Sequence, residues 1–211
     1  MSTIENVVYT YEPDDKPAIR YHSIPSSFVG AAETLAEARS SYRSDLTDLL
    51  HVDRHGLPPV VEHVEAVVAG MRVRTKVGAV HRDRTRDRMF LQTLLAPGGP
   101  QDEIREYLDT IGTAGIDPVV VLAEPEDPIA SVLDQMTPQD AVVVTYPDAD
   151  AVVGWAAIYG PQAPGVHDDL PSAPLDPAVR EMPIEAFTDA YALARHRRAV
   201  RVCPNPLPEA C

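Results

Sequence analysis

The sequence predicts an α/β protein: a strand-rich unit with one capped helix over residues 1–50, then a second α/β domain with a partly parallel sheet, and a C-terminal helix. Three observations lead there. Thr34-Leu35-Ala36-Glu37 has the form in which a hydroxyl and a carboxylate each take up a backbone N–H left over at a helix start. Behind it Leu35, Ala38, Tyr42, Leu46 and Leu49 recur at the spacing of one helical face. Residues 119–123, 127–136 and 141–145 then run as apolar strand, ten-residue helix and apolar strand, the pattern of a parallel pair with a right-handed crossover.

Taken in order, residues 7–11 read as a strand and Glu12-Pro13-Asp14-Asp15 as a turn, by its Pro and Asp content. Residues 18–23 alternate as a second strand, and residues 27–30 suit a short third one. Residues 51–56 are a polar linker. Pro58 and Pro59 open a predicted helix that buries Val60, Val64, Val67 and Val68 and stops at Gly70. Met71, Val73, Thr75 and Val77 alternate with Arg72, Arg74 and Lys76, which predicts a strand with one buried and one basic face. An Arg-rich helix to Leu94-Leu95 follows, and residues 101–112 form another with Ile104, Leu108 and Ile111 inward. Residues 150–159 suit either a capped helix or a strand. Residues 161–182, rich in Pro and Asp, read as an extended linker or surface wrap. A last helix starts at Pro183 with Ile184, Phe187 and Tyr191 on one face. Its acids Glu185 and Asp189 come early and Arg195, Arg197 and Arg198 late, the order the helix dipole favours. The expected organisation is therefore 1–50, an α/β domain over 57–160, and a Pro-rich segment with terminal helix over 161–211.

Composition narrows the function. Hydrophobic residues make up 45% of the chain, yet the unbroken apolar runs are only those such as 119–123 and 141–144, far below the roughly 18–20 residues of a membrane span. With an acidic N-terminus and no basic-then-apolar leader, a cytoplasmic protein without membrane association is expected. Cys203 and Cys211 match no zinc or redox spacing; a tail disulfide is conceivable, but incidental free thiols are the expectation. Residues 1–50 carry 8 acidic and 4 basic side chains, residues 51–95 carry 5 and 8, and residues 96–211 carry 19 and 6, giving −4, +3 and −13. A net charge of −14 repels phosphate backbones and attracts basic proteins. Wholesale non-specific nucleic-acid binding is not expected on that ground.

The stretch IPSSFVGAAETLAEARSSYRSDLTDLL carries a further signal. Its order of strand, turn, strand, Ile24-Pro25, Gly30, Thr34, Glu37-Ala38 and amphipathic helix resembles the N-terminal domain of HicB-family antitoxins. The resemblance implies a ββ(β)α unit, a degenerate RNase H-like fold without catalysis of its own. It also implies a small basic RNase toxin as partner, and often regulation of the protein's own operon through an added DNA-binding segment. Ser26-Ser27 stand where the family usually has Gly-Cys or a similar pair, and no ribbon-helix-helix or helix-turn-helix pattern follows residue 60. An antitoxin-like binding protein with a basic partner, and with a homo-oligomer as a further expectation, is the leading reading. No catalytic residue and no cofactor are expected, since G-x-S-x-G, P-loop, G-x-G-x-x-G and Cys/His nucleophile patterns are all missing.

Two rival readings rest on other residues. Arg72, Arg74, Lys76, Arg82, Arg84, Arg86 and Arg88 could hold a phosphate or operator DNA, although Arg82/Arg86 and Arg84/Arg88 beside Asp83 and Asp87 equally suit a self-paired solvated helix face. An enzyme or nucleotide-binding protein would place its site within residues 70–160. Glu124, Asp127, Asp148 and Asp150 follow the two apolar strands, where α/β sheets bind ligands, and four carboxylates there could hold a divalent metal. Asp127 and Asp150 also make good helix caps. His51, Asp53, His55 and His63 are read as linker polarity.

Overall fold

Three strands open the chain: β1 (Glu5–Tyr11), β2 (Ile19–Ile24) and β3 (Val29–Ala32). The computed structural model describes residues 4–12, 14–52, 56–68, 70–76, 100–112, 117–148, 153–164, 170–193 and 198–203. The protein is mixed α/β, and its contacts divide it into two units, residues 1–68 with 73–80 and residues 69–72 with 81–211.

In the first unit the three strands are antiparallel neighbours in the order β3-β2-β1. Helix α1 (Leu35–Leu50) follows, and its start is built as the sequence requires. Thr34 Oγ1 accepts from the Glu37 N–H and Glu37 Oε2 from the Thr34 N–H, both at 3.2 Å. Ala38, Tyr42 and Leu46 are buried against Val7, Tyr9, Ile19 and Tyr21 of the strands. Leu49, expected on that face, is exposed, because the helix runs on for one turn past its last buried side chain. Tyr21 lies across Gly30 of the neighbouring strand, where a Cβ would come within 2.7 Å of its Cε1. The only side chain that fits under the ring is a hydrogen atom.

The next element overturns an expectation. Residues 60–68 are not a helix but strand β4 (Val60–Val68), parallel to β1, with Val7 opposite Glu62 and Tyr9 opposite Val64. The valines at 60, 64 and 67 imitate helical spacing, but their branched Cβ atoms favour a pleated surface. Val67, predicted buried, is exposed. Gly70 does end the element, at φ 81°, and the chain turns into β5 (Met71–Lys76), which lies next to β4. Residues 60–68 thus fold with the first fifty residues, where the sequence suggested a second domain from residue 57.

The second unit holds α2 (Pro100–Gly112), β6 (Val119–Leu122), α3 (Ala130–Leu133), β7 (Ala141–Tyr146) and β8 (Gly154–Tyr159). After these come β9 (Ser172–Pro174), α4 (Pro177–Arg180), α5 (Ile184–Phe187) and β10 (Ala199–Cys203). Strand order is β6-β7-β8-β10-β9. As the sequence predicts, β6 and β7 pair in parallel; β8 is antiparallel to β7, and β10 is parallel to both its neighbours. The ten-residue helix expected between β6 and β7 shrinks to the single turn α3. The residues before it are taken up by α5, since Asp127 and Pro125 carbonyls accept from the Ile184 and Glu185 N–H groups. Residues 150–159 resolve towards the strand β8. The predicted wrap at 161–182 contains an edge strand and a helix capped by Asp176, with Ala173 and Val179 buried.

The helix predicted from Pro183 is α5 followed by a π-helical turn at Thr188–Ala192. Phe187 and Ile184 are fully buried in a core with Val121, Val144, Ile158 and Val200, each contributing on the order of 2 kcal/mol. Arg195 and Arg197 lie outside the described residues. On the other sheet face Ile104 of α2 is buried, Tyr107 packs against Trp155 with tilted rings and centroids 5.4 Å apart, and the indole N–H donates to Glu103 at 3.3 Å. Strand β10 was not foreseen, and Cys203 within it is disulfide-bonded rather than a free thiol. Among the described residues no helix is long and apolar enough to cross a membrane.

Candidate functional site

The feature best placed to meet another protein is the free edge of β3. Ser23 N–H donates to the Phe28 carbonyl at 2.9 Å, and antiparallel pairing alternates from there. The backbone groups of Gly30 and Ala32 therefore face β2, and those of Val29 and Ala31 face outward. Val29 is 79% exposed, the most exposed large apolar side chain among the described residues. Glu33 and Glu37 stand exposed directly after the strand. The outer edge of the second unit is built differently: β9 has three residues and ends in Pro174, which cannot donate.

Beneath α1 each buried tyrosine hydroxyl is matched to a carboxylate. Tyr9 donates to Glu62 and Tyr42 to Glu5, both at 3.4 Å, and Tyr21 to Asp45 at 3.2 Å. Burial first, then the neighbouring carboxylates, push the Tyr9 and Tyr42 hydroxyls well above the ordinary phenol range. Ser26 donates to Glu5 at 2.8 Å and shares a hydrogen bond with Ser23 at 2.7 Å, so the Ser26-Ser27 turn is tied to β1 through its first hydroxyl. Glu62 also holds Arg39, through both Nε and Nη2, and Arg43 at 3.6 Å.

No family model, curated protein or solved structure matches this chain.

Of the basic residues singled out in the sequence, the three described ones, Arg72, Arg74 and Lys76, have different surroundings. Arg72 is ion-paired with Asp117. Arg74, expected on an exposed basic face, is 6% exposed, and its Nε and Nη2 both donate to Glu65 Oε2 at 2.9 and 2.7 Å. Of the three basic positions on that side of β5, only Arg74 is buried; Arg72 is partly exposed. Lys76 is exposed, and Arg82, Arg84, Arg86 and Arg88 lie outside the described residues. His63, read from sequence as linker polarity, is buried in β4, with Nε2 at 3.3 Å from Asn6 Oδ1. Burial, then Arg74 and Lys76, lower its pKa to about 3. Asp53 and His55 lie outside the described residues.

At the carboxyl ends of β6 and β7, Asp127 receives the Glu124 N–H at 3.5 Å, a local turn bond. Asp148 lies close enough to Tyr146 to act on its hydroxyl together with Asp189 and Glu185. All three add to the upward push of burial, against a hydrogen bond with Thr188. Glu185 and Asp189 were missed as members of this acidic end because only the fold brings α5 back to β7. Asp150 lies outside the described residues, and among those described no group of three His, Cys, Asp or Glu side chains is placed to hold a metal ion.

Proposed function

We propose that this chain is an antitoxin-like binding protein whose HicB-like N-terminal unit docks a basic protein partner by adding one of the partner's strands to β3. The single observation that carries the reading is the open edge at Val29 and Ala31, with outward backbone groups beside an exposed valine. Main-chain pairing gives affinity in such additions, and pockets for alternate side chains give selectivity. The observed order β1, β2, β3, α1 is the ββ(β)α order that the resemblance to HicB antitoxins implies, which supports the reading. So does charge. A toxin that cleaves RNA must hold phosphates and is therefore basic, and a chain of net charge −14 steers such a protein towards itself over a range set by ionic strength.

The test is built into the pairing pattern. Ala31→Pro removes an outward N–H and leaves the ladder with β2 intact, so it blocks addition while sparing the fold. Leu50→Asp, at the exposed end of α1, is the control. Co-purification of a small basic protein from the native host should be lost with Ala31→Pro and kept with Leu50→Asp. Equal recovery with both removes β3 as the docking strand. Self-association that vanishes with Ala31→Pro, with no such partner, assigns the edge to a second copy instead.

A further inference from the structure

A groove of about 700 Å³ runs along α1 in the first unit, lined by Arg39, Ser40 and Arg43 on one wall and by Leu57, Pro58 and Val60 on the other. Its polar wall is electrically unbalanced. Arg39 and Arg43 are one helical turn apart, and like charges at that spacing repel. Both turn to the same carboxylate, Glu62, which is 7% exposed and so fixed in place. Within this trio one carboxylate meets two guanidiniums, a surplus of one positive charge. Arg39 uses Nε and Nη2 on Glu62, while Arg43 touches it only at 3.6 Å and keeps a half-exposed side chain. The planar fork of Arg43 and the Ser40 hydroxyl are thereby left at the groove with donors to spare.

We infer that this groove binds a small organic carboxylate, its charged end on Arg43 and Ser40 and its apolar body against Leu57, Pro58 and Val60. A monoanion matches the surplus of one charge. Arg forks recognise carboxylates through paired, charge-assisted hydrogen bonds. The volume lies within the range of small-ligand sites, roughly 300–1,000 Å³. This site is separate from the β3 edge and stands or falls independently of it.

Three probes dissect it by titration calorimetry on the full chain: 3-phenylpropionate, its amide 3-phenylpropanamide, and acetate. The acid should bind, the amide should not, and acetate should bind at least about tenfold more weakly, having lost the apolar wall. Arg43→Gln leaves the Arg39–Glu62 pair in place and should weaken the acid by about tenfold or more. Circular dichroism of Arg43→Gln should match the parent, which separates lost binding from lost fold. Equal binding of acid and amide, binding unchanged by Arg43→Gln, or no binding of the acid at about 10 mM, an affinity below any specific site, overturns the assignment. An acetylated peptide ending in a free Leu carboxylate that binds tighter than phenylpropionate overturns the small-molecule part of it.

Discussion

Replacing Glu65 with Gln tests whether the Glu65–Arg74 ion pair is shielded from water. Glu65 is 1% exposed and Arg74 6%, and two guanidinium nitrogens converge on one carboxylate oxygen. Neither group is screened by solvent, so the small values typical of surface pairs do not apply. Glu65→Gln keeps the shape and one acceptor but removes the negative charge that faces a buried guanidinium, which costs about 3–5 kcal/mol. With a urea slope of about 2 kcal/mol per molar, the unfolding midpoint should fall by roughly 2 M. The double replacement Glu65→Leu with Arg74→Met removes both charges together and should recover most of that loss, or exceed the parent. The assay is urea unfolding followed by far-ultraviolet circular dichroism for the parent, the single and the double variant. A single variant within about 1 kcal/mol of the parent would refute the reasoning, since it would mean water reaches the pair. So would a double variant as unstable as the single one.

Three further outcomes follow from the same geometry. His63 is neutral in the folded state, with a pKa lowered to about 3 against 6.5 when unfolded. The unfolded chain therefore binds a proton that the folded chain refuses, and stability should fall by up to about 1.4 kcal/mol per unit as pH drops from 6.5 towards 3. His63→Gln, which can still donate to Asn6, should flatten the urea-midpoint profile over that window, and a profile parallel to the parent's would refute the assignment. Thr34→Ala removes one half of the capping box and should cost about 1 kcal/mol, read as a lower thermal midpoint. Gly30→Val forces the Tyr21 ring off its neighbour and away from Asp45, and should cost about 1–3 kcal/mol in urea unfolding; an unchanged midpoint would show that the ring moves freely.

What the sequence revealed and what it hid divide along a physical line. The capping box at Thr34 and Glu37, the face Ala38, Tyr42 and Leu46, and the apolar runs of β6 and β7 were legible, because each is encoded by neighbours within one element. Strand β4 was misread, because its valines satisfy a helical period and a pleated one equally well, and only pairing with β1 decides between them. The tail was misread for a related reason. Pro and Asp signal turns locally, but Ala173 and Val179 are buried through contacts supplied by α5 and β10. The groove at Arg39 and Arg43 was invisible, since its anchor, Glu62, lies on the strand taken for a helix. The single available hint was the repeat of arginine at i and i+4 on α1.

The polar residues of β4 also explain why the strand has one register. Parallel strands flanked on both faces usually read as unbroken apolar runs, yet β4 carries Glu62, His63 and Glu65 buried in sequence order. Each is met from a different element: Glu62 by Arg39 of α1, His63 by Asn6 of β1, and Glu65 by Arg74 of β5. A slip of one residue would move every side chain to the opposite face. Glu62 would leave Arg39 and Tyr9, and Glu65 would leave Arg74, so that both ion pairs would break at once. A purely apolar β4 would carry no such penalty against a slip. The buried polar set therefore marks one register, and it does so beside the very helix that carries the groove. Fixing Glu62 fixes Arg39, and with it the separation between the arginines of α1 and the apolar wall at Leu57, Pro58 and Val60.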